Sequence, residues 1–306
     1  MKKKPISVSI RRFLNKDTVV GYVFAMPFII GFLGFVVIPM AVSFYFSFTK
    51  YNIRQPPVWT GLDNYIRMFT SDKRFYKSVW VTFKYVIIAV PLKLAFALVI
   101  AFILTKKSKL EGLFRAIYYL PSLIGGSVAV TLVWKELFSS TGLVNTFLAS
   151  IGITNLSWFG DERLALWPLI LLTVWQFGSS MLIFAAGLKQ IPKTYYEAAE
   201  IDGAGSVAIF FKITLPSLSP IILFNLVMQL ISGFMTFTQS YIISGGSGRP
   251  NDSTNFFALY IYNNAFSYFD MGYASAMAWI LLLIIAVVTM IVFKTSRAWV
   301  FYEYKD

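Results

Sequence analysis

The 306-residue chain contains no cysteine and no histidine, and only 13% of its residues are charged. Without cysteine it forms neither disulfides nor thiolate metal sites. Without histidine it lacks the common zinc ligand, a histidine proton relay and the base of a serine–histidine–aspartate triad. It also lacks the G-x-x-x-x-G-K-[ST] phosphate-binding loop, so we expect no ATP site within the chain itself. These absences argue against most enzyme classes.

Apolar residues dominate the sequence instead. They make up 57% of the chain, and the mean hydropathy is +0.67. A soluble core of this size could not bury so much apolar surface, so the composition indicates a membrane protein. The net charge of +13 would suggest nucleic acid as the partner of a soluble protein. Here the cations lie between apolar stretches, where they set topology and meet anionic lipid, so we expect membrane lipid and no nucleic acid as a partner.

Six apolar stretches are long enough to cross a bilayer, which takes roughly 20 residues. They are residues 19–48, 79–104, 116–137, 164–188, 213–243 and 272–293. The first and fifth exceed the required length, so we expect them to tilt or break, and Pro27 and Pro39 are candidate kinks in the first. The sequence therefore predicts an all-α polytopic membrane protein with six transmembrane helices.

The distribution of lysine and arginine predicts the orientation of these spans. With the N-terminus inside, sixteen cations fall on the cytoplasmic side and nine on the outer side, as the positive-inside rule requires. We therefore expect a basic cytoplasmic N-terminal segment over residues 1–18, a six-helix domain over 19–293 and a cytoplasmic tail over 294–306. Both termini are then cytoplasmic, and so is the polar segment at 189–212.

One polar interval between the fourth and fifth spans has a pattern of its own. Residues 195–202 favour helix, Gly203 and Gly205 interrupt it, and residues 207–213 favour a second helix. Pro216 stands where the next apolar span begins. A short helix pair held between two spans at the membrane surface is a shape that can dock into a partner.

The same interval carries a resemblance to a known family. Glu197-Ala198-Ala199, Gly203 after three residues and Ile213-Thr214-Leu215-Pro216 after nine more resemble the EAA signature of permease subunits in bacterial binding-protein-dependent ABC importers. The resemblance implies a type I importer permease fold, with a cytoplasmic coupling helix seated in a groove of an ATPase subunit. The alternative is an ordinary cytoplasmic helical hairpin. The residues that the resemblance assigns to ATPase coupling are Glu197, Ala198, Ala199, Asp202, Gly203, Leu215 and Pro216.

The resemblance also implies an assembly. A second, homologous permease subunit forms a heterodimer with this chain, two ATPase subunits bind ATP and magnesium, and an extracytoplasmic solute-binding protein delivers the substrate. The chain itself then binds no cofactor, and it lies in the bacterial cytoplasmic membrane. Ser47–Asn52 and Gly61–Tyr65 further resemble the sugar-permease branch of the family, which implies carbohydrate as the cargo.

Polar side chains inside the spans point to a path for that cargo, because they cost free energy in lipid unless they are paired or line a water-filled cavity. Aromatic rings combined with neutral amides and hydroxyls suit a sugar. The resemblance agrees, since sugar permeases build their site from the fourth and fifth spans. The alternative is that these groups join helices by hydrogen bonds. The candidates are Trp175, Gln176, Ser179, Ser180, Asn225, Gln229, Met235, Thr238, Gln239 and Tyr241.

Lys93 lies within the second span, where an uncompensated lysine costs roughly 2.5–3.5 kcal/mol on insertion scales. Facing the path, it could meet an acidic cargo such as a uronic-acid oligosaccharide. Alternatively, it could pair with a carbonyl or with the partner subunit.

Three other functions fit parts of the sequence. A glycerol-phosphate importer permease would share many of these motifs. An ion-coupled secondary transporter would act alone, but no aspartate or glutamate lies deep within a span to carry a proton. A membrane enzyme would need an acid–base pair, which the missing histidine and the missing intramembrane carboxylates do not supply.

Overall fold

The computed structural model describes residues 17–105, 110–154 and 156–301. The predicted N-terminal segment and the end of the predicted C-terminal tail lie largely outside these residues. Helices account for nearly all of the described secondary structure. In chain order they are α1 (Asp17–Phe32), α2 (Ile38–Ser47), α3 (Asp63–Thr70), α4 (Lys73–Leu104), α5 (Glu111–Ile124), α6 (Val128–Leu137), α7 (Leu143–Ser150), α8 (Leu166–Trp175), α9 (Gly178–Gln190), α10 (Lys193–Ile201), α11 (Ser206–Ile209), α12 (Leu215–Phe234), α13 (Thr238–Ser244), α14 (Phe257–Tyr262) and α15 (Met271–Ser296).

Four helical stretches, some with local irregularities, are long and apolar enough to cross a membrane: Phe24–Ser47, Lys73–Leu104, Ser206–Ser244 and Met271–Ser296. Two bent helix pairs pass the same test, α5 with α6 at 98° and α8 with α9 at 42°. Counting each pair as one span gives six spans in the predicted order. The prediction of an all-α polytopic fold is therefore confirmed, whereas the third and fourth spans are broken where single helices were expected.

The two breaks pack against each other. The third span breaks at Gly125–Ser127, and Ser127 begins α6 by accepting a hydrogen bond from the Val130 N–H at 3.3 Å. The fourth span breaks before Gly178, which lies so close to the backbone of Tyr118 that any Cβ would overlap its carbonyl oxygen. Across the contact, Gln176 Nε2 donates to the Gly125 carbonyl at 3.0 Å. Side chains thus satisfy backbone groups that the breaks release, as a membrane interior requires.

The overlong first span is irregular at a wide π-helical turn. This turn covers Leu33–Val37, and its last hydrogen bond runs from the Ile38 N–H to the Leu33 carbonyl. Pro39 follows within the first turn of α2, where a proline without an N–H is tolerated. The helix continues through Pro27, so Pro27 is not the site of the irregularity. The apolar part of this span is not buried by the rest of the chain.

The fifth span contains two irregularities. A second π-helical turn at Phe210–Thr214 joins α11 to α12. The helix then ends at Phe234 and resumes at Thr238, so residues 235–237 leave an opening in the helical backbone in the apolar part of the chain. Non-helical backbone at such depth is tolerated where it lines a cavity or is buried in protein.

The core surrounds α4, whose buried face packs against α8, α9 and α12. Small residues at the contacts let the helices approach closely, and Ala89, Ala97 and Ala101 are fully buried. On α12, Gly233 lies directly against Val86 of α4. The second span is therefore the element against which the fourth and fifth spans are positioned.

At the end of the molecule opposite α10, a two-stranded antiparallel hairpin follows the first span. It pairs β1 (Thr49–Asn52) with β2 (Gln55–Trp59). Asn64 at the start of α3 donates to the carbonyls of Ser47 and Thr49, both at 2.9 Å. A Cβ on Gly272 would overlap the Thr49 carbonyl, so the hairpin packs tightly on the start of the sixth span.

Ion pairs join the segments at the end of the molecule that bears the hairpin. They join Arg67 to Asp270 at 2.6 Å, Arg74 to Asp252 at 2.5 Å and Lys77 to Glu162 at 3.1 Å. Hydrogen bonds from Asn251 and Lys77 hold the pKa of Glu162 below its usual value. Exposed pairs of this kind contribute about 0–1 kcal/mol each, so their main effect is to orient the segments.

The glycine-rich loop between α13 and α14 suits a flexible contact loop by its sequence, but the structure shows it packed. Thr254 and Asn255 are fully buried, and Ser240 Oγ donates to the Thr254 carbonyl. The Arg249–Pro250 peptide bond is cis. The loop therefore belongs to the folded body of the molecule.

Candidate functional site

The interval with the EAA pattern forms the predicted helix pair. Helix α10 and the short α11 are joined by residues 202–205, and π-helical residues lead from α11 directly into α12. Glu197, Ala198, Asp202 and Gly203 are exposed, and Ala199 is half-buried. Leu215 and Pro216 form the half-buried first turn of α12. An N–H in the first turn has no partner within the helix, so a proline there costs no helical hydrogen bond.

Gly203 ends α10 in a Schellman motif. Its φ is +76°, in the left-handed region that favours glycine. The Gly203 N–H donates to the Glu200 carbonyl at 3.0 Å, and the Ala204 N–H donates to the Ala199 carbonyl at 2.9 Å. These two bonds satisfy the last carbonyls of α10 and set the angle at which α11 leaves it. The glycine of the motif is thus required by backbone geometry.

The helix pair and the π-helical turn after it carry apolar side chains that the described chain leaves mostly exposed. Ile201 is 86% exposed, Val207 is 72% exposed and Phe211 is 60% exposed. Acidic side chains, including Glu197 and Glu200, stand beside them. An apolar patch rimmed by charge is typical of a protein–protein contact.

A polar cavity of about 280 Å³ lies in the apolar body of the molecule, between α4 and the breaks of the fourth and fifth spans. Predicted path residues that line it are Lys93, Gln176, Gln229, Met235, Thr238 and Gln239. The residues of the break, 235–237, form part of one wall of the cavity. Neutral amides and hydroxyls predominate among its polar groups.

Lys93 is the one charged residue in this lining, and it is buried. Its Nζ donates to Gln229 Oε1 at 2.8 Å, and Gln229 Nε2 donates in turn to Ser180 Oγ at 3.3 Å. The salt bridges of the described residues do not include Lys93. An amide oxygen therefore supports this ammonium group, as in the carbonyl alternative considered from the sequence.

Tyr85 lies in the cavity lining on the same face of α4, two helical turns before Lys93. Its hydroxyl hydrogen-bonds to Thr173 Oγ1 at 2.6 Å, and its ring packs against Phe256 with centroids 4.6 Å apart. Phe256 belongs to the packed outer loop. Tyr85 thus connects the cavity wall to the outer segments.

Four other predicted path residues are engaged elsewhere, and the structure does not bring them to the cavity lining. Trp175 packs against Trp134 with ring centroids 5.6 Å apart, and Ser179 hydrogen-bonds through its backbone to Ser122. Asn225 is buried and donates to the Ile221 carbonyl of its own helix at 3.1 Å. The ring of Tyr241 packs against Phe237 and Tyr262.

Ser180 is intermediate between these two groups. It is fully buried and touches the cavity only through Gln229. As a hydrogen-bond acceptor it orients the Gln229 amide, whose oxygen then faces the Lys93 ammonium group. Ser180 is therefore a positioning residue for the polar wall.

Sequence reasoning missed several lining residues. They are Tyr85, Ala89, Val90, Ser232, Gly233 and Phe237. For Tyr85 and Ala89 the signal was present, because they stand eight and four residues before Lys93 and so share its helix face. The residues around the break in the fifth span had no such signal, because an opening at residues 235–237 cannot be read from an unbroken apolar run. Among the residues the structure describes, no group of three or more acidic side chains could hold a metal ion.

These features define a class of protein: a multi-pass membrane protein with a polar cavity among its spans and an exposed helix pair at one end. The family model described as "Binding-protein-dependent transport system inner membrane component" matches residues 68–298, about three quarters of the chain. The chain therefore belongs to this family, and the resemblance seen in the EAA pattern is confirmed. As the membrane component of a transport system, the chain is not itself an enzyme.

Curated relatives match nearly the whole chain. The "Probable ABC transporter permease protein YesP" of Bacillus subtilis (strain 168) is 55% identical over 96% of both chains. The "Arabinooligosaccharides transport system permease protein AraP" of the same organism is 32% identical over 90% of this chain and 88% of its own. These relatives argue against an ion-coupled carrier that acts alone.

A solved structure has the same fold. It is the crystal structure of a bacterial alginate ABC transporter in complex with an alginate pentasaccharide-bound periplasmic protein. One of its chains superposes with a TM-score of 0.79, covering 94% of this chain and 96% of its own, at 21% sequence identity. Because the identity is low and the superposition is close, the likeness establishes the fold, which is that of a type I permease.

Proposed function

We propose that this chain is the permease subunit of an ATP-driven importer that carries an oligosaccharide through the cavity described above. The observation that carries the proposal is the cavity itself, where amide and hydroxyl groups meet aromatic walls within an apolar bundle. Amides bind sugar hydroxyls, and aromatic rings cover the apolar face of a pyranose. The AraP relative, whose name assigns it to arabino-oligosaccharides, supports a carbohydrate cargo.

The finer proposal is that the cargo is acidic, as a uronate-containing oligosaccharide is. Lys93 is buried at the cavity with an amide oxygen as its partner, so its charge is only partly compensated. A carboxylate on the cargo would supply the missing counter-charge. The Gln229 amide oxygen takes one hydrogen bond from the ammonium group, which has three N–H donors in all.

A second permease chain completes the cavity in this proposal. Ser232 and Met235 line it yet remain exposed on the surface of this chain. An exposed polar side chain beside a membrane cavity requires either water or a protein neighbour. A homologous permease subunit placed there would close the path and form the heterodimer.

Two ATPase subunits, which bind the ATP and magnesium, act on the helix pair. The exposed apolar patch of Ile201, Val207 and Phe211 is the proposed contact, with Glu197 and Gly203 setting its charge and angle. The stretch Ser206–Ser244 runs from this contact to the cavity wall, through the π-helical turn at Phe210–Thr214 and then through α12. Closure of the ATPases would move its inner end and thereby swing the cavity from inward- to outward-facing.

The remaining parts of the assembly follow from this arrangement. An extracytoplasmic binding protein would deliver the cargo at the end of the molecule that bears the β hairpin. The helix pair and both termini would then be cytoplasmic. The lysine and arginine distribution supports this orientation.

The deciding experiment is ATPase activity of the purified, reconstituted complex with its binding protein and a panel of neutral sugars, uronate oligosaccharides and glycerol phosphate. We expect stimulation by uronate oligosaccharides. Stimulation by neutral sugars alone would indicate that Lys93 has a structural role. Stimulation by glycerol phosphate alone would favour a glycerol-phosphate importer. Failure of any ATPase chain to co-purify would contradict the importer proposal itself.

A further inference from the structure

A second pocket, of about 530 Å³, lies at the outer end of the molecule and away from the cavity. Its walls are the β hairpin, helix α3 and the segment that precedes the sixth span. Neither the family match nor the proposed transport path assigns it a role. We call it the outer pocket.

The outer pocket has more positive than negative charge. Its cations are Lys50, Arg54 and Arg67, and its carboxylates are Asp63 and Asp270. Asp270 is already paired with Arg67 at 2.6 Å, and this pairing outweighs partial burial and raises the Arg67 pKa. Among the described residues the guanidinium of Arg54 contacts an aromatic ring, that of Phe269, instead of a carboxylate. Arg54 and Lys50 are therefore the cations that an anionic ligand could engage.

The walls of the outer pocket are held in place. The hairpin that carries Lys50 and Arg54 is anchored by Asn64 and by its close approach to Gly272. Phe269 has a φ of +58°, a left-handed conformation that is strained for a non-glycine residue. The neighbouring Asp270 N–H donates to the Asn264 carbonyl at 2.8 Å, which holds the backbone there.

The chemistry of these walls selects a ligand class. A guanidinium group can bind a carboxylate by two parallel hydrogen bonds, a directional match that the face of an aromatic ring does not offer. Tyr51 and Phe269 offer aromatic surface, and Asn52 offers an amide for hydroxyl groups. A ring that bears both hydroxyls and one carboxylate fits this set.

We propose that the outer pocket is a second sugar-binding site, which takes one uronate residue of an acidic oligosaccharide through Arg54 and Lys50 before the cargo enters the cavity. The proposal rests on the acidic cargo proposed above but uses none of the cavity residues. It gives the hairpin a role in recognising cargo.

The experiment measures binding of digalacturonate by saturation-transfer NMR to the full-length chain in lipid nanodiscs with its co-purifying subunits and no binding protein. It is done in a Lys93→Met background, so that cavity binding does not obscure the signal. The methyl-esterified sugar, which is uncharged, is the matched ligand. The expected result is saturable binding of digalacturonate, and about tenfold weaker binding of the ester, the change typical for loss of a charge-assisted hydrogen bond.

Arg54→Gln should weaken digalacturonate binding by a similar factor. Arg163→Gln, which removes an exposed cation outside the outer pocket, should leave it unchanged. Equal binding by the Arg54→Gln and Arg163→Gln variants would overturn the proposal, and so would equal affinity for the sugar and its ester. Loss of binding-protein association in Arg54→Gln with sugar binding intact would also overturn it and would assign the pocket to a protein contact.

The proposed function is tested separately by sugar-stimulated ATPase activity in the chain with Lys93 intact. If only the outer-pocket proposal is wrong, uronates will still stimulate ATPase activity, and the stimulation will still depend on Lys93. If the proposal of an acidic cargo is wrong, uronates will not stimulate ATPase activity, whatever the Arg54→Gln variant shows.

Discussion

At the scale of single residues, Lys93 tests whether the cargo is acidic. Replacing it with methionine removes the cavity cation and keeps the side-chain length, so stimulation by uronate oligosaccharides should fall about tenfold or more relative to neutral sugars. Lys84→Met is the control, because Lys84 lies on the same helix but is exposed and outside the cavity. Concentration dependence of sugar-stimulated ATPase activity measures both. An equal loss in the two variants would show that the effect is not specific to the cavity.

Gln239 tests whether the cavity amides select the cargo. Gln239→Ala removes one hydrogen-bonding wall group, so we expect a change of several-fold in the ratio of uptake between two sugars that differ in one hydroxyl. Asn225→Ala is the comparison, because it also removes an amide, but one that hydrogen-bonds to its own helix outside the cavity lining. The expected result for that variant is an unchanged ratio with lower thermal stability. Competition uptake assays in proteoliposomes would measure the ratio. If Asn225→Ala shifted the ratio and Gln239→Ala did not, the placement of Gln239 in the cavity wall would be contradicted.

Residue-level contacts are also where sequence reasoning was weakest. That Lys93 is buried in a span follows from its position, but its partner depends on the rotation of α12 relative to α4, which no local pattern encodes. Trp175, Ser179, Asn225 and Tyr241 were predicted with the path because their residue types suit it. The structure engages them in ring packing and backbone hydrogen bonds instead.

At the scale of elements, the turn between α10 and α11 makes a prediction about Gly203. Alanine at a φ of +76° costs about 1 kcal/mol or more, so Gly203→Ala should distort the Schellman motif and the angle of α11. We expect weaker retention of ATPase subunits on purification, with the spans still folded. Gly205→Ala is the matched control, since Gly205 has a φ of −72° and open space around its Cβ position. Equal retention in the two variants, measured by size-exclusion chromatography of the complex, would show that the turn geometry is not needed.

The elements themselves were largely predictable. Bilayer thickness fixes how many apolar residues a span needs, so the positions of six spans could be predicted from apolar runs alone. The breaks could not, because Gly125 and Gln176 are ordinary residues until the two bent spans bring them together. The EAA interval was predictable as helix, turn and helix because alanines, glycines and prolines act through the local backbone.

At the scale of the whole molecule, Glu197 should connect ATP use to transport. Glu197→Lys reverses a charge on the exposed helix pair, so we expect uptake to fall to background while the affinity of the complex for its binding protein is retained. Glu200→Lys, also exposed on α10, is the matched variant. Loss of uptake in both would indicate sensitivity to the charge of the helix in general. Normal uptake by Glu197→Lys would count heavily against a coupling role.

The helical stretch that begins at Ser206 and reaches the break at residues 235–237 has a mechanical consequence. From Ser206 to Met235, at about 1.5 Å per helical residue, it forms a lever arm of roughly 44 Å. A tilt of only about 5° about its inner end would carry the cavity wall sideways by roughly 4 Å, close to the spacing of one packed atomic layer. If the coupling proposed above holds, a small rotation at the helix pair would therefore be magnified into a larger displacement at the cavity wall.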